Sequence, residues 1–80
     1  MDVREIHNNL RRCPHLHKVK PYYKDWLFSW KNVLGFWGHV NSVLGKDAKI
    51  YLIKKHCELL NLPVTIEEDK THLTRIKITI

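Results

Sequence analysis

The amino-acid sequence predicts an α+β fold in which three or four helices pack on a C-terminal β-hairpin. Apolar residues recur every three or four positions in residues 2–12, 25–44 and 48–60, which is the period of a helix. Residues 64–80 instead alternate between apolar and polar, which is the period of a strand. A chain of 80 residues is long enough for one domain with a thin core, so we expect a single domain over residues 1–80.

The first helix is predicted over residues 2–12. Asp2 is a suitable N-cap, and Ile6 and Leu10 lie on one apolar face. Pro14 disfavours helical geometry at the residue before it, so we expect the helix to end there. The segment that follows is expected to be a loop, with a short extended piece at residues 16–20 as a candidate third strand.

Residues 25–44 predict the central helix, around which the other elements would pack. Its apolar residues follow the helical period, and they are Trp26, Trp30, Val33, Trp37, Val40 and Leu44. Gly35 and Gly38 would each cost about 1 kcal/mol relative to alanine in a helix. We therefore expect either one helix kinked at the glycines or two abutting helices, with the tryptophans in the core.

A last helix is predicted over residues 48–60, with Asp47 as its N-cap and Pro63 after its end. This helix is apolar on two sides, which is typical of a helix sandwiched between two other elements. The hairpin of residues 64–80 would turn at its acidic residues, Glu67, Glu68 and Asp69.

This order of elements resembles a winged helix in outline. The resemblance implies that residues 48–60 would enter a DNA groove and that residues 67–71 would form the tip of the wing. Two features oppose direct base readout. The groove helix would expose few side chains that bond base edges, and the acidic wing tip would be repelled by phosphates.

Charge predicts a polyanionic partner. Fourteen Lys and Arg against eight Asp and Glu give a formal net charge of +6, which favours nucleic acid, an acidic protein surface or anionic lipid. Residues 11–24 carry five of these cations and no acid, beside tyrosines and histidines that can stack on unpaired bases. The predicted nucleic-acid-binding residues are Arg11, Arg12, His15, His17, Lys18, Lys20, Tyr22, Tyr23, Lys24, Arg75 and Lys77. The sequence does not distinguish DNA from RNA.

The alternative function is a protein-interaction module, such as an inhibitor, an adaptor or a homo-oligomeric subunit. Phe28 and Phe36 lie off the main apolar face of the central helix, as interface anchors do. Leu73 and Ile80 belong to a strand that would be exposed at the sheet edge and open to β-pairing, including homodimer formation.

Catalysis, cofactors and metals are not expected. No nucleophile has a visible orienting partner, and there is no glycine-rich phosphate loop, so we predict neither an enzyme, a cofactor nor a small-molecule substrate. Cys13, His15 and His17 are zinc-ligand types, but their alternate spacing differs from that of a zinc finger. They remain an alternative, and the prediction is no metal.

Localisation follows from what the sequence shows at its N-terminus and in its cysteines. Residues 1–7 lack the apolar core of a signal peptide. Two cysteines do not make a disulfide scaffold, so we expect reduced thiols in an intracellular protein, cytoplasmic or nuclear. Lys31, Asn32, His39 and Asn41 interrupt residues 25–44, which argues against a membrane span.

Overall fold

A computed structural model describes residues 2–41 and 44–80 of the chain. The elements are α1 (Val3–Arg11), β1 (His17–Tyr23), a 3₁₀ turn (Trp30–Asn32), β2 (Val33–His39), α2 (Lys46–Leu59), β3 (Thr65–Glu68) and β4 (Arg75–Thr79). The strands form one antiparallel sheet in the order β1-β2-β4-β3. Within the described residues, neither helix is long and apolar enough to cross a bilayer.

The predicted fold class is wrong in its balance of helix and sheet. The described residues form two α-helices and a four-stranded antiparallel sheet, rather than three or four helices on a hairpin. The winged-helix-like order is wrong for the same reason, because the segment predicted as the central helix is a loop, a 3₁₀ turn and strand β2. Residues 42 and 43 of that segment lie outside the described residues.

Local chemistry accounts for the strand. Two glycines weaken a helix, whereas Val33, Phe36 and Trp37 are residue types that favour a pleated, half-buried surface. Asp25 does not cap a helix; its Oδ1 accepts a hydrogen bond from the N–H of Leu27, 3.0 Å away, which closes a local turn. The tryptophans therefore separate: Trp26 is exposed in the loop, Trp30 packs on the core and Trp37 lies in β2.

The first helix forms as its signals predict. Asp2 Oδ1 accepts a hydrogen bond from the N–H of Arg4 at 2.9 Å, and Ile6 and Leu10 are buried. Helix α2 begins at Lys46 and has Gly45 as its N-cap, so Asp47 is a first-turn residue and not the N-cap. The φ of Gly45 is 76°, in the left-handed region that favours glycine.

The predicted sandwiching of α2 is wrong. Ile53 and Cys57 are buried toward the sheet, but Leu52 and Leu59, on the other side of the helix, are exposed.

The C-terminal hairpin is present, because β3 and β4 pair with Ile66 opposite Ile78. Its returning strand is not a sheet edge, however. β4 also pairs with β2, through Phe36 opposite Ile78 and Gly38 opposite Ile76. The extended piece predicted at residues 16–20 is real but longer, and as β1 it pairs with β2 and lies at one edge of the sheet.

The core lies between the helices and one face of the sheet. Its fully buried members from both layers are Ile6, Leu10, Phe36, Ile53, Ile76 and Ile78. Nε2 of His56 lies 3.0 Å from the carbonyl oxygen of Asn9, which links α2 to α1 on this side. Because side chains alternate along a strand, the residues between the core positions point to the opposite side, which we call the open face.

Candidate nucleic-acid interface

The open face carries two aromatic rings in contact. Tyr22 of β1 and Trp37 of β2 are both half-buried, and their ring centroids lie 5.3 Å apart at an angle of 38°. The other side chains of this face from the three neighbouring strands are Lys20, His39, Arg75, Lys77 and Thr79. A pair of partly exposed rings on a sheet is a surface on which planar groups can stack.

Cations lie directly over these rings. The guanidinium carbon of Arg75 is 5.1 Å from the centre of the Trp37 ring. Nζ of Lys77 is 5.8 Å from the Tyr22 ring and 5.9 Å from the Trp37 ring. Each contact is within cation–π range, and each is worth about 0.5–1 kcal/mol at a partly exposed site. Nε of Arg75 is buried without a hydrogen-bond partner, and neither of the ion pairs found among the described residues includes Arg75.

A glycine makes room for the tyrosine. A Cβ placed on Gly35 would lie 2.8 Å from the hydroxyl oxygen of Tyr22 and would also meet the carbonyl oxygen of Ile78. Contacts this short require a neighbour to move, and one of them is backbone. Gly35 is therefore needed for close approach of the Tyr22 ring to the sheet.

A bulge in β1 sets the position of its lysines. His17 pairs with His39 and Lys20 with Trp37, so β1 contains one residue more than β2 over this interval. Lys18 takes up the extra residue with a φ of 52°. The bulge buries Val19 while keeping Lys20 beside Trp37 on the open face.

Electrostatics place His39 inside the positive region. Burial lowers the pKa of His39 below the ordinary value of 6.5, and the charges of Arg75, Lys18, Lys20 and His72 lower it further. His39 is therefore neutral at pH 7, since its pKa lies below this pH. A bound polyanion would offset these charges and favour the protonated ring.

A cleft of about 470 Å³ adjoins this region between α1 and β1. Its lining includes Arg11, His17, Lys18 and Lys20, so it gathers three cations around one concave surface. Nε2 of His7, which also lines the cleft, lies 3.0 Å from the carbonyl oxygen of Val19 and donates to it, because a carbonyl can only accept. Lys20 borders both the cleft and the open face, which makes the two surfaces continuous.

The acids of the hairpin lie mostly elsewhere. Nζ of Lys46 is 3.8 Å from the carboxylate of Glu68 and 3.2 Å from the carbonyl oxygen of Asp69. Burial would raise the pKa of Asp69, but hydrogen bonds from the backbone N–H groups of Thr71 and His72 lower it overall. Glu67 is different, because it pairs with Lys77 across β3 and β4 and borders the open face.

The structure brings seven of the predicted binding residues together. Lys20, Tyr22, Arg75 and Lys77 are on the open face, and Arg11, His17 and Lys18 line the adjoining cleft. The other four are not part of either surface. Arg12 caps the end of α1, and His15 is in the turn that follows; Tyr23 packs on the core, and Lys24 begins the loop after β1.

The residues predicted for a protein interface do not form one surface. Phe36 is 0% exposed, so its assignment as an exposed anchor is wrong; as a strand residue facing the helices it belongs to the core. Leu73 and Ile80 are exposed, but β4 is an interior strand, so edge pairing through it is also wrong. Phe28 is exposed as predicted, although in a loop.

The edges that do exist are poor templates for pairing. β1 carries Pro21, a bulge and two lysines, and β3 is four residues long. Short, charged or proline-containing edges are typical of strands protected against pairing.

The zinc alternative has no geometric support. Across residues 2–41 and 44–80, no group of three His, Cys, Asp or Glu residues could hold a metal ion. Cys13 is buried in the core with Cys57, and both are free thiols. Burial, together with the nearby Cys13, raises the pKa of Cys57 to about 11, so this thiol is protonated and unreactive.

Sequence reasoning missed Trp37 and His39 as members of the candidate site. The spacing of Trp37 from Trp30 and Val33 fits a helix, and on that basis the sequence predicts a core position for it. The signal that could have placed it outward is local: Gly35 and Gly38 in a segment rich in β-favouring residues indicate a strand, and alternation then separates Trp37 from Phe36.

Comparisons with known proteins give no relative: no protein family, no curated protein and no solved structure matches the chain significantly.

Proposed function

We propose that the protein is a non-enzymatic module that binds single-stranded nucleic acid on its open face. The observation that supports this most is the juxtaposition of Tyr22 and Trp37 with Arg75 and Lys77, each cation within 6 Å of a ring centre. Both helices of the described chain pack on the other face of the sheet, so the rings are not covered by them. Aromatic rings and cations on one surface are what unpaired bases and their phosphates require.

The same geometry explains how binding would proceed. A base that stacks on Trp37 takes the place that Arg75 or Lys77 occupies over the ring, and the displaced cation then pairs with a phosphate. Bases in a duplex are already stacked on each other, so the rings favour an unpaired strand. The bound nucleic-acid strand would continue from the open face across Lys20 into the cleft lined by Arg11 and Lys18.

Charge on the open face can be tested separately from total charge. The double variant K20E/K77E should bind a fluorescently labelled single-stranded oligonucleotide at least tenfold more weakly than the wild type. The control K54E/K70E makes the same change in net charge at exposed lysines of α2 and the hairpin tip. Anisotropy titrations at two salt concentrations should show little change for this control, because most of the phosphate contacts remain.

Two results would count against the proposal. One is that the wild-type protein binds neither single-stranded DNA nor single-stranded RNA at low salt. The other is that both double variants lose affinity equally, since binding would then follow net charge and not the open face.

A further inference from the structure

The loop between β1 and β2 exposes three large apolar side chains in succession. Trp26 is 81% exposed, Leu27 54% and Phe28 84%. Single exposed apolar residues are common on protein surfaces, but a contiguous group usually marks a contact with a partner or a membrane.

Hydrogen bonds hold this loop in the shape that exposes the three side chains. The N–H of Lys24 donates to the carbonyl oxygen of Asn32 at 2.6 Å, which closes the base of the loop. Asp25 Oδ1 accepts from the N–H of Leu27, and the side-chain amide of Asn32 donates to the carbonyl oxygen of Leu27 at 3.3 Å. The loop is therefore a preformed feature, so its apolar tip is presented at little ordering cost.

The loop is separate from the open face. The ring of Phe28 meets Tyr23 edge-on, with centroids 5.3 Å apart, and Tyr23 packs against the core on the side of the helices. Trp30, at the end of the loop, lies 5.5 Å from the ring of His7 in α1. The residues that contact the loop thus lie on the helix side of the sheet, whereas Tyr22 and Trp37 are on the open face.

Cations flank the apolar tip. Lys24 and Lys31 are exposed at the two ends of the loop, and the guanidinium of Arg4 lies 5.7 Å from the centre of the Trp30 ring. The acid within the loop, Asp25, accepts hydrogen bonds from the loop itself. An apolar tip flanked by cations matches a bilayer surface, where anionic headgroups lie outside the acyl chains.

We infer that residues 24–31 dock on an anionic membrane surface and insert Trp26, Leu27 and Phe28 at the boundary of headgroups and acyl chains. Tryptophan and phenylalanine favour this boundary. A second copy of this chain is a poorer occupant, because it would bring Lys24 and Lys31 of two molecules together. This inference does not depend on the proposed nucleic-acid site.

Vesicle flotation with the full chain tests the inference. The wild-type protein should float with vesicles of phosphatidylcholine and phosphatidylserine, and much less with phosphatidylcholine alone. The variant W26S/F28S should partition at least tenfold less, because two buried aromatic contacts with the bilayer are lost. The control Y51S/L59S removes two exposed apolar side chains from α2 and should partition like the wild type.

Other outcomes overturn the inference. No flotation of the wild type would refute it directly. Equal flotation of W26S/F28S and the wild type would show adsorption through charge alone, and equal loss in both double variants would show nonspecific apolar adsorption. Oligonucleotide binding by W26S/F28S should equal that of the wild type, so failure here is distinguishable from failure of the proposed function.

Discussion

Replacement of Trp37 by leucine should weaken oligonucleotide binding without unfolding the protein. Trp37 is half-buried on the open face, and its ring centroid lies 5.3 Å from that of Tyr22. The guanidinium carbon of Arg75 lies 5.1 Å from the centre of the Trp37 ring. Leucine retains apolar cover for the sheet but offers no ring. Stacking of one base on an aromatic side chain contributes about 1–3 kcal/mol, so the dissociation constant should rise by roughly 5- to 150-fold. A W37F variant keeps a ring and should recover most of that loss.

The matched control is W26L, which makes the same chemical change in the exposed loop after β1. Anisotropy titrations with a labelled single-stranded oligonucleotide at constant salt would measure both variants, and circular dichroism would establish that each is folded. The reasoning is refuted if folded W37L binds as tightly as the wild type, or if W26L loses as much affinity as W37L.

Three further predictions concern the sheet and its charges. Gly35→Ala should lower the free energy of unfolding by about 1–3 kcal/mol in thermal or urea melts, because its Cβ meets Tyr22 and backbone; in a helix the same change would stabilise by about 1 kcal/mol, so a raised melting temperature would contradict the strand. Glu67→Lys should tighten oligonucleotide binding, since it replaces an acid beside Lys77 with a cation. The slope of log affinity against log salt concentration should steepen by about 0.7. An unchanged slope would mean that the oligonucleotide does not pass close to Glu67. The pKa of His39 lies below 6.5 in the free protein, and bound phosphates should raise it. Affinity for the oligonucleotide should therefore rise as the pH falls and the His39 ring becomes protonated. NMR titration of this ring with and without oligonucleotide measures the shift, and an identical pKa in both states would contradict phosphate binding nearby.

The elements that could be predicted are those with local signals at both ends. Asp2 and Pro14 delimit α1, and Pro63 follows α2, so both helices appear close to their predicted bounds. Strict alternation in residues 74–80 likewise predicted β4. Such signals depend on neighbouring residues alone and do not require knowledge of the packing.

The segment between these elements could not be predicted in the same way. Its apolar residues happen to recur at helical spacing, although they serve three different environments: an exposed loop, the core and the open face. Strand β2 is stabilised by pairing with β1 and with β4, and β4 is distant in sequence. Tertiary pairing of this kind overrides a local period. Gly35 and Gly38 were the local signal against a helix in this segment.

The candidate site was predicted in its charges and in Tyr22, but not in Trp37. Net charge and the basic run indicated Lys18, Lys20 and Arg11 without any knowledge of the fold, because exposed cations remain near the surface in most folds. The position of Trp37 between Tyr22 and Arg75 depends on the register of three strands. That register could be found only after β2 was recognised as a strand.

Chemical-shift mapping of the ¹⁵N-labelled protein with a single-stranded oligonucleotide tests the central claim most directly. The account predicts the largest perturbations at the amides of β1, β2 and β4 that flank the open face and at the indole N–H of Trp37, with little change along the outer side of α2. Perturbations confined to α2 or to the loop at residues 24–29, or none at saturating oligonucleotide, would contradict it.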